Sequence, residues 1–470
     1  MSATVATPRP HVLIVGAGLG GLLLGGLLER CNIPYEIFER ASSVKPLGSA
    51  LNIAAQMAPL LIQLGIYEQF EQISRYQRYV YSAKDNGEPV APLDFVAMEE
   101  FGGYPCRIVS RPLLYDLFLS LVPPQKIHFS KRILSITEED NKVKIQAADN
   151  TVYEGDILVG ADGAYSAVRQ RLYEKLKKDG KLPKSDQEDL PFNCTCLVGQ
   201  TEPLDVEEYP ELKNPEDPYF FTYIGKEKPF TWAIFATKQR TLCWMVVHNL
   251  SSETSKAAQE QRFRNSDNSE WGPHAAQAMC DETMNFPISF GGGKKKLGDI
   301  YEKTPKERIV KVMLEEKVFK TWYSGRTVLL GDACHKVNPS AGVGAIIAMH
   351  DAIALANLIY ALPSNTQGDI TKAFKEYYAE RYAPAIEAYN SSVMMSKLFK
   401  GGFAAAFAWF MTNNMPNWLW RISVKRLVHR RPQSGFLKPV QDKGSVPPNP
   451  SPSCEKARAL YNKRTGVTTV

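Results

Sequence analysis

A glycine-rich turn near the start of this 470-residue chain constrains its fold more than any other feature. The turn, Gly16-Ala-Gly-Leu-Gly-Gly21, follows an apolar run, His11–Val15, and precedes a helix-forming segment, Leu19–Cys31. A second apolar run, Pro34–Glu39, comes next. The order strand, turn, helix, strand predicts a βαβ unit, which requires a parallel sheet with a right-handed crossover.

The spacing of the glycines is typical of a dinucleotide-binding unit. Gly16 permits the tight turn, Gly18 lets the backbone approach a pyrophosphate, and Gly21 allows the helix to pack closely on the strand. The helix N-terminus adds free N–H groups and a positive dipole end for the diphosphate. Glu39 ends the second strand, where its carboxylate can accept hydrogen bonds from a ribose diol and disfavours a 2′-phosphate. The unit therefore predicts FAD or NAD rather than NADP, and a purely structural turn is the alternative.

Composition limits the remaining possibilities. A chain of this length with 44% hydrophobic residues is expected to form two or more lobes. Its eight cysteines are scattered without metal-ligand spacing, which predicts no metal site and a reducing, intracellular and cytoplasmic setting. The first ten residues lack the basic and apolar regions of a secretion signal.

The pattern of apolar residues changes along the chain. Alternating runs between 190 and 250, among them Thr231–Ala236 and Thr241–Val247, predict a β-rich second lobe. The α/β pattern returns at the strand-like Thr327–Leu330 and the helix-like Ala345–Tyr360.

Two further motifs lie between and after these lobes. The first of them, over residues 156–169, begins with an apolar run that ends at Asp162-Gly163. Ser166 and Arg169 follow this pair. Without other evidence this is a strand that ends in a turn and starts a helix, which occurs in many proteins that bind no ligand.

The second motif, over 326–345, is the more specific of the two. Its characteristic positions are Gly331, Asp332, His335, Pro339, Gly342, Gly344 and Ala345. With the glycine-rich turn and the Asp-Gly segment, in this order, the chain resembles the para-hydroxybenzoate hydroxylase-like class A flavin monooxygenases. It is most similar to the fungal members that act in secondary metabolism, and the resemblance covers about 8 to 440.

The resemblance implies roles for these residues at FAD. Asp162 lies near the pyrophosphate and the route of a transient NAD(P)H, and Asp332 accepts a hydrogen bond from the ribityl chain. The backbone at Gly342, Gly344 and Ala345 brings N–H groups to the isoalloxazine, where they stabilise negative charge on the reduced flavin.

Two more residues match the family less closely. Arg111 corresponds to a helix-start arginine that contacts FAD, and a surface arginine is its alternative. Gly48 aligns with a loop over the flavin. The chain also departs from the family, which commonly has Gly-Gln-Gly followed by Asn-like polarity where this chain has Gly342-Val-Gly-Ala345. Flavin electronics or loop mobility are therefore expected to differ.

The resemblance predicts an α/β fold, with a Rossmann-like FAD-binding domain, an inserted β-rich substrate domain and a C-terminal helical tail. The FAD-binding domain is expected to be discontinuous. The predicted segments are 8–80, 105–190 and 320–395 for the FAD-binding domain, 81–104 and 191–319 for the substrate domain, 396–440 for a helical segment and 441–470 for a flexible tail.

The implied activity is FAD-dependent monooxygenation. Because the sequence has one dinucleotide-binding unit, NAD(P)H would visit transiently as co-substrate. The resemblance implies that O2 and a C4a-hydroperoxyflavin then hydroxylate or epoxidise a small organic, lipophilic substrate. A dehydrogenase, reductase or halogenase on the same scaffold, or a non-catalytic flavin-binding protein, is the alternative. The sequence identifies no catalytic side chain: Tyr223 and His248 are conceivable, but their strand-like segments favour core roles.

The C-terminal 80 residues are strongly basic. Residues 391–470 carry thirteen Lys or Arg and two acids, whereas the whole chain has a net charge of only +6. An apolar run, Gly402–Met411, is too short to span a bilayer, which needs about 20 residues. Trp409, Trp418 and Trp420 and the basic residues after them predict either an interfacial anchor on an anionic membrane or a helix packed on the enzyme's own body. No nucleic-acid partner is expected.

Overall fold

The computed structural model describes most of the chain. The described residues are 9–44, 50–85, 88–214, 217, 219–225, 229–250, 270–271, 273–339, 342–399 and 416–466.

The strands form several sheets. In chain order they are β1 (Val12–Val15), β2 (Tyr35–Phe38), β3 (Ala50–Ile53), β4 (Ser74–Tyr76), β5 (Tyr79–Lys84), β6 (Pro89–Asp94), β7 (Arg107–Ser110), β8 (Ile127–His128), β9 (Ile133–Glu139), β10 (Lys142–Ala147), β11 (Val152–Gly155), β12 (Ile157–Gly160), β13 (Phe192–Gln200), β14 (Phe220–Ile224), β15 (Phe230–Ala236), β16 (Leu242–Asn249), β17 (Glu270–Trp271), β18 (Val310–Glu315), β19 (Lys317–Val318), β20 (Tyr323–Ser324), β21 (Thr327–Leu329) and β22 (His335–Lys336).

The α-helices lie between and after these strands. In chain order they are α1 (Leu19–Arg30), α2 (Ala58–Leu64), α3 (Tyr67–Ile73), α4 (Val96–Gly102), α5 (Arg111–Leu119), α6 (Ala167–Lys178), α7 (Pro273–Thr283), α8 (Leu297–Glu302), α9 (Gly344–Tyr360), α10 (Gln367–Phe399), α11 (Asn417–Val428) and α12 (Pro452–Thr465).

A six-stranded sheet contains the predicted βαβ unit. Its order is β20-β21-β12-β1-β2-β8, and every neighbouring pair is parallel except β20 with β21 at the edge. Helix α1 connects β1 to β2, which pair in register from Val12 with Tyr35 to Val15 with Phe38. All four residues of β1 and of β12 are buried, because both faces of the sheet are covered. The α/β fold class and the βαβ unit are thus confirmed.

An eight-stranded sheet forms the second lobe, in the order β17-β18-β13-β16-β15-β14-β5-β6. Its outer face carries Trp232 and Trp244, which share an apolar core with residues of α7 and α8, such as Ile300. Its inner face carries Phe235, which packs against Ile108 of β7 in the first lobe. The alternation along each strand therefore gives one face to the lobe's own core and the other to the junction between the lobes.

Helix α9 packs the motif at 326–345 against the glycine-rich turn. It contacts α1, α10 and α12 and is buried along nearly its whole length. Gly20 of α1 faces it so closely that an added Cβ would lie 2.6 Å from Leu330 Cδ2 and 3.6 Å from the Ala348 carbonyl oxygen. A larger residue at Gly20 would therefore separate the two motifs.

The C-terminal region differs from the prediction of a flexible tail over 441–470. Helix α12 lies within it, and Ala457 of this helix is fully buried. A Cβ on Gly435 would lie 2.7 Å from Ala457 Cβ, and Lys456 Nζ lies 2.7 Å from Glu376 Oε2 of α10. The prediction was wrong because a short helix needs only one small apolar face to dock, and a polar composition does not reveal that face.

Residues 416–431 pack on α4 and on the end of β6. Val424 and Val428 of α11 are buried in a cluster with Phe101 of α4, and the Trp420 indole N–H donates to the Asp94 carbonyl oxygen at 2.9 Å. The apolar run at 402–411 lies outside the described residues. In the described part of the chain, no helix combines the length and the apolar composition needed to cross a membrane.

Candidate functional site

Four loops meet at the edge of the six-stranded sheet where its parallel strands end. β2, β1, β12 and β21 are parallel neighbours, so the loops that follow them leave from the same edge. These loops carry Glu39 after β2, Gly16 after β1, Asp162 after β12 and Asp332 after β21. The ends of neighbouring parallel strands are where α/β proteins bind their ligands. Tertiary structure thus gathers residues that are up to 316 positions apart.

The three motif glycines of the turn, Gly16, Gly18 and Gly21, have different surroundings. Gly16 has φ +110°, and a Cβ there would lie 2.4 Å from the Ala161 carbonyl oxygen. A Cβ on Gly21 would lie 2.0 Å from the Gly16 carbonyl oxygen, whereas no atom of the described residues comes within 4 Å of a Cβ on Gly18. Packing therefore requires glycine at the first and third positions, and the second position borders open space that a ligand can enter.

Glu39 is tied to this turn by backbone hydrogen bonds. Its Oε2 accepts from the Ala17 N–H at 3.0 Å and its Oε1 from the Ala41 N–H at 2.9 Å, while the side chain remains half-buried. Each carboxylate oxygen keeps further acceptor capacity, so the group is oriented and still able to bind a diol.

Tyr115 is a site residue that the sequence did not reveal. It lies on α5, four residues after Arg111, and its buried hydroxyl has no hydrogen-bond partner among the described residues. Burial raises the pKa of this phenol to about 12, and the negative charge of Glu39 adds to the effect. The i,i+4 spacing from Arg111 was the available signal, because it puts both side chains on one helix face.

Asp162 and Arg169 organise the second loop. Asp162 Oδ2 accepts from the Ala167 and Val168 N–H groups at the start of α6, at 2.7 and 3.2 Å, and its buried Oδ1 has no partner in the described part of the chain. Burial raises the pKa of this carboxyl although these bonds oppose the effect. Arg169 donates to the Ala333 carbonyl oxygen at 2.8 Å and so joins this loop to the one that carries Asp332.

Asp332 and Arg111 lie near enough for their opposite charges to interact. Desolvation by the surrounding protein lowers the pKa of the Arg111 guanidinium, and the negative charge of Asp332 partly opposes this. The Asp332 side chain is 34% exposed. Burial alone would raise the pKa of Asp332, but the charges of Lys336, His335 and Arg111 outweigh it and lower that pKa. Lys336 Nζ lies 2.6 Å from Asp332 Oδ2.

The loop before α9 offers backbone donors. Gly342 has φ +65°, and a Cβ there would meet no atom of the described residues within 4 Å. Helix α9 begins at Gly344, and its N-cap residue, Val343, contributes no side-chain hydrogen bond. The Val343 side chain therefore satisfies none of the N–H groups of the first turn, including that of Ala345.

Two conceivable catalytic residues, Tyr223 and His248, lie elsewhere. Gly48 falls outside the described residues. Tyr223 stacks on Trp232 at 5.1 Å between ring centroids and donates to Ser289 Oγ at 2.7 Å, and His248 stacks on Phe230 at 4.4 Å. Both rings belong to the outer face of the eight-stranded sheet, away from the junction of the lobes.

The inner face of that sheet is apolar. Phe220 and Met245 lie half-buried there, beside the buried Ala233, Phe235 and Cys243. This cluster lies at the junction of the two lobes, because Ile108 and Ala50 of the first lobe pack against it.

Glu315 places a second carboxyl near Asp332. It ends β18, its side chain is almost completely buried, and its Oε1 has no partner among the residues the structure describes. Burial raises the pKa of this carboxyl from 4.5 to about 7, Asp332 adds to the rise, and Lys336 opposes it. No sequence pattern indicates this residue, because its proximity to Asp332 depends on the packing of the two lobes.

Comparison with known proteins agrees with this geometry. The family described as FAD binding domain matches residues 9–288 and 296–390. The FAD-dependent monooxygenase paxM of Penicillium paxilli is 30% identical over 359 residues, which cover 74% of this chain and 69% of the relative. The FAD-dependent monooxygenase ctvC of Aspergillus terreus is 27% identical over 362 residues, 76% of this chain and 72% of the relative.

A solved structure shares the fold. Klebsiella pneumoniae HpxO complexed with FAD and uric acid superposes with a TM-score of 0.69 at 18% identity, covering 90% of this chain and 97% of that chain. At this identity the likeness shows the fold alone.

The buried carboxyl of Glu315 gives a pH-dependent prediction. Because its pKa in the folded protein is above the unfolded value, Glu315 binds its proton more tightly when folded, so its contribution to stability is lost as pH rises from about 4.5 to about 7. Glu315→Gln is therefore expected to gain stability relative to the unchanged protein across this range, by about 3 kcal/mol at most.

Thermal or urea unfolding at several pH values measures this difference. Glu174→Gln, which changes an exposed glutamate on α6, serves as the control and is expected to show no such trend. Parallel stability curves for Glu315→Gln and the unchanged protein would contradict the prediction.

Proposed function

This chain belongs to the FAD binding domain family and is an FAD-dependent monooxygenase, and we propose that it uses NAD(P)H and O2 to hydroxylate or epoxidise a small, lipophilic organic substrate. The observation that carries the proposal is the convergence of the four loops at one sheet edge, where Asp332 and Arg111 lie near each other. Bound FAD would supply the redox chemistry by accepting a hydride and activating O2.

The residues at this edge fit an extended FAD. We assign the adenosine ribose to Glu39, and the diphosphate to the open space at Gly18 and the start of α1. The Asp162 backbone lies next to the turn, since its Cα would lie 2.8 Å from a Cβ on Gly16. Its Oδ1, which has no partner among the described residues, is the atom available to a ligand there. Arg111 lies near Asp332 and provides a positive charge for the diphosphate.

The ribityl chain and the isoalloxazine complete the assignment. We assign a ribityl hydroxyl to Asp332, whose carboxylate is ionised and accessible. The backbone N–H groups at Gly342, Gly344 and Ala345 would donate to the isoalloxazine and favour negative charge on it without a titrating side chain. Gly48 remains a proposed part of the covering loop.

The apolar junction between the lobes supports a lipophilic substrate. Phe220 and Met245 are only half-buried on a wall that otherwise consists of Ala233, Phe235 and Cys243. A substrate that covers such residues gains about 25 cal/mol per Å² of apolar surface removed from water. The same wall excludes water from the reacting atoms, which protects reactive intermediates from hydrolysis.

NAD(P)H is proposed as a visiting co-substrate. The sequence has one glycine-rich βαβ unit, and its second strand ends in Glu39, which disfavours a 2′-phosphate. FAD would occupy this unit throughout, so the nicotinamide nucleotide has to approach from the solvent side. A dehydrogenase, reductase or halogenase activity, or flavin binding without catalysis, is the alternative that experiment distinguishes.

The proposed reaction is tested with isotopic oxygen. In the presence of NAD(P)H, ¹⁸O2 and a set of lipophilic candidate metabolites, we expect NAD(P)H oxidation to rise with a substrate and one ¹⁸O atom to appear in the product by mass spectrometry. Turnover without label in the product would favour a dehydrogenase, a reductase or a halogenase. Bound flavin with no turnover of any kind would favour a non-catalytic protein.

The assignment of Asp332 is tested by flavin binding. Asp332→Ala removes the charged acceptor of one hydrogen bond from FAD. We therefore expect the affinity for FAD to fall by roughly ten- to a hundredfold. Titration of the apoprotein with FAD, followed by flavin fluorescence, measures the change. Asp281→Ala, at an exposed position on α7, is the control. An affinity of Asp332→Ala within about twofold of the unchanged protein would overturn the assignment.

We also propose that the C-terminal segment touches a membrane surface. The structure narrows the residues available for this contact, because Arg421, Arg430 and Arg431 form ion pairs with Glu100, Glu387 and Asp442 of the chain itself. These three arginines were expected to face lipid in the anchor interpretation.

The outward face of α11 remains available. It carries Trp418, which is 64% exposed, Ile422, which is 45% exposed, and the exposed Lys425 and Arg426. Residues 416–431 contain no acidic residue. Tryptophan, an aliphatic side chain and basic residues on one helix face are typical of contact with anionic headgroups.

Flotation with anionic liposomes tests this contact. We expect the full-length protein to float with the vesicles at low salt, and the double variant Trp418→Ser, Ile422→Ser to bind roughly tenfold more weakly, because two apolar side chains are lost. Val152→Ser, at a residue of β11 that is 59% exposed, is the matched control. Protein that stays at the bottom of the gradient at low salt rules out the membrane proposal.

A further inference from the structure

A fully buried carboxylate lies directly behind the turn that carries Asp332. Asp351 is in the middle of α9, and its side chain has no exposed surface. Its Oδ2 accepts from the Gly331 N–H at 3.2 Å and lies 2.5 Å from His335 Nε2, and its Oδ1 accepts from Arg381 Nε of α10 at 2.8 Å. One carboxylate thus connects two helices to both ends of the Gly331–His335 turn.

The charge at Asp351 is balanced inside the protein. Burial alone would raise the pKa of this carboxyl, but the charges of His335 and Arg381 and their hydrogen bonds outweigh it and lower that pKa. An unpaired charge at such a site is strongly destabilising. The ionised carboxylate is therefore stable only while both arms of the network are in place.

A metal ion does not explain this group well. Donor atoms of Cys334, His335 and Asp351 lie within 4.8 Å of one another, which is close enough to consider a metal ion. However, Arg381 Nε lies 2.8 Å from Asp351 Oδ1, and the positive charge of this guanidinium opposes a second cation at the same carboxylate. Asp351 already accepts from three donors, one of which is the cationic Arg381. The group is better described as a hydrogen-bond network.

The network fixes a turn in which only Asp332 has a partly exposed side chain. Gly331, Ala333, Cys334 and His335 are all buried, whereas Asp332 is 34% exposed. Gly331 has φ +62°, and a Cβ there would lie 2.9 Å from Ala348 Cβ, so the turn lies directly against α9. Asp351 holds the first residue of the turn by its N–H and the last by its ring.

We propose that Asp351 is a positioning residue of the flavin site, which holds the Gly331–His335 turn so that the Asp332 carboxylate is oriented toward the ribityl chain of FAD. The inference rests on the proposed assignment of Asp332. Its mechanism is indirect: Asp351 contacts the turn, and only the turn contacts the cofactor. Its effect on FAD affinity must therefore pass through Asp332.

Asp351→Asn tests the inference with little change in volume. The amide has one acceptor oxygen and one donor nitrogen, so its nitrogen must face donors either at Arg381 or at Gly331 and His335, and one arm is lost. We expect the affinity of the apoprotein for FAD to fall roughly tenfold or more. Asp156→Asn changes a buried carboxylate at the opposite edge of the same sheet and is expected to leave FAD affinity unchanged.

A double-mutant cycle separates positioning from general destabilisation. In the Asp332→Ala background, Asp351→Asn is expected to change FAD affinity by less than about twofold, because the side chain that it orients is already absent. Additive losses would overturn the proposal. If Asp332→Ala itself has no effect, the assignment of Asp332 fails, whereas an effect of Asp332→Ala but none of Asp351→Asn defeats the positioning role alone.

A second pair of variants covers the case in which Asp351→Asn does not fold. His335→Gln keeps a donor near the position of Nε2, whereas His335→Leu removes it. We expect His335→Gln to retain FAD affinity within about threefold and His335→Leu to lose roughly tenfold, again without additivity with Asp332→Ala. Equal affinities for the two His335 variants would contradict the role of this arm.

Discussion

The parallel register of β2, β1, β12 and β21 is the constraint on which the rest of the structure depends. Parallel neighbours end at the same edge, so the loops with Glu39, Gly16, Asp162 and Asp332 meet although the chain between them forms other sheets and helices. Hydrogen bonds between neighbouring strands fix their register and therefore the positions of the strand ends. A binding site built on these ends is therefore positioned by the most rigid part of the molecule.

Buried charged groups then fix the loops relative to each other. Arg169 bonds the Ala333 carbonyl oxygen and so joins two of the loops, whereas Arg326, also buried, bonds the carbonyl oxygens of Asp156 and Asn365 and holds the opposite ends of the strands. Arginine is suited to this task because its planar fork of donors can serve several carbonyl groups at once and it stays charged. Burying such charged groups is costly and contributes little net stability. Their hydrogen bonds are highly directional, however, which suits loops that must hold ligand-binding groups at a defined distance.

The second lobe has two distinct faces with different functions. Its outer face buries Trp232, Trp244 and Tyr223 against α7 and α8 and makes the lobe stable. Its inner face presents Phe220 and Met245 toward the first lobe, where they line the junction. Because strand side chains alternate, a single sheet supplies both the core and the apolar wall, and changes on the inner face are separated from the packing of the outer one.

The sequence by itself determined the local elements and the fold class. The strand–turn–helix–strand order specified β1, α1 and β2, because steric limits at Gly16 and Gly21 and the apolar periodicity act over a few residues. Tertiary structure alone decided the partners of Asp332 and Asp351, the burial of Glu315 and the docking of α12. These depend on contacts between residues distant in the chain, and neither composition nor periodicity records which surfaces meet. The sequence favoured a core role for Tyr223 over a catalytic one, and its ring lies in the outer core of the second lobe.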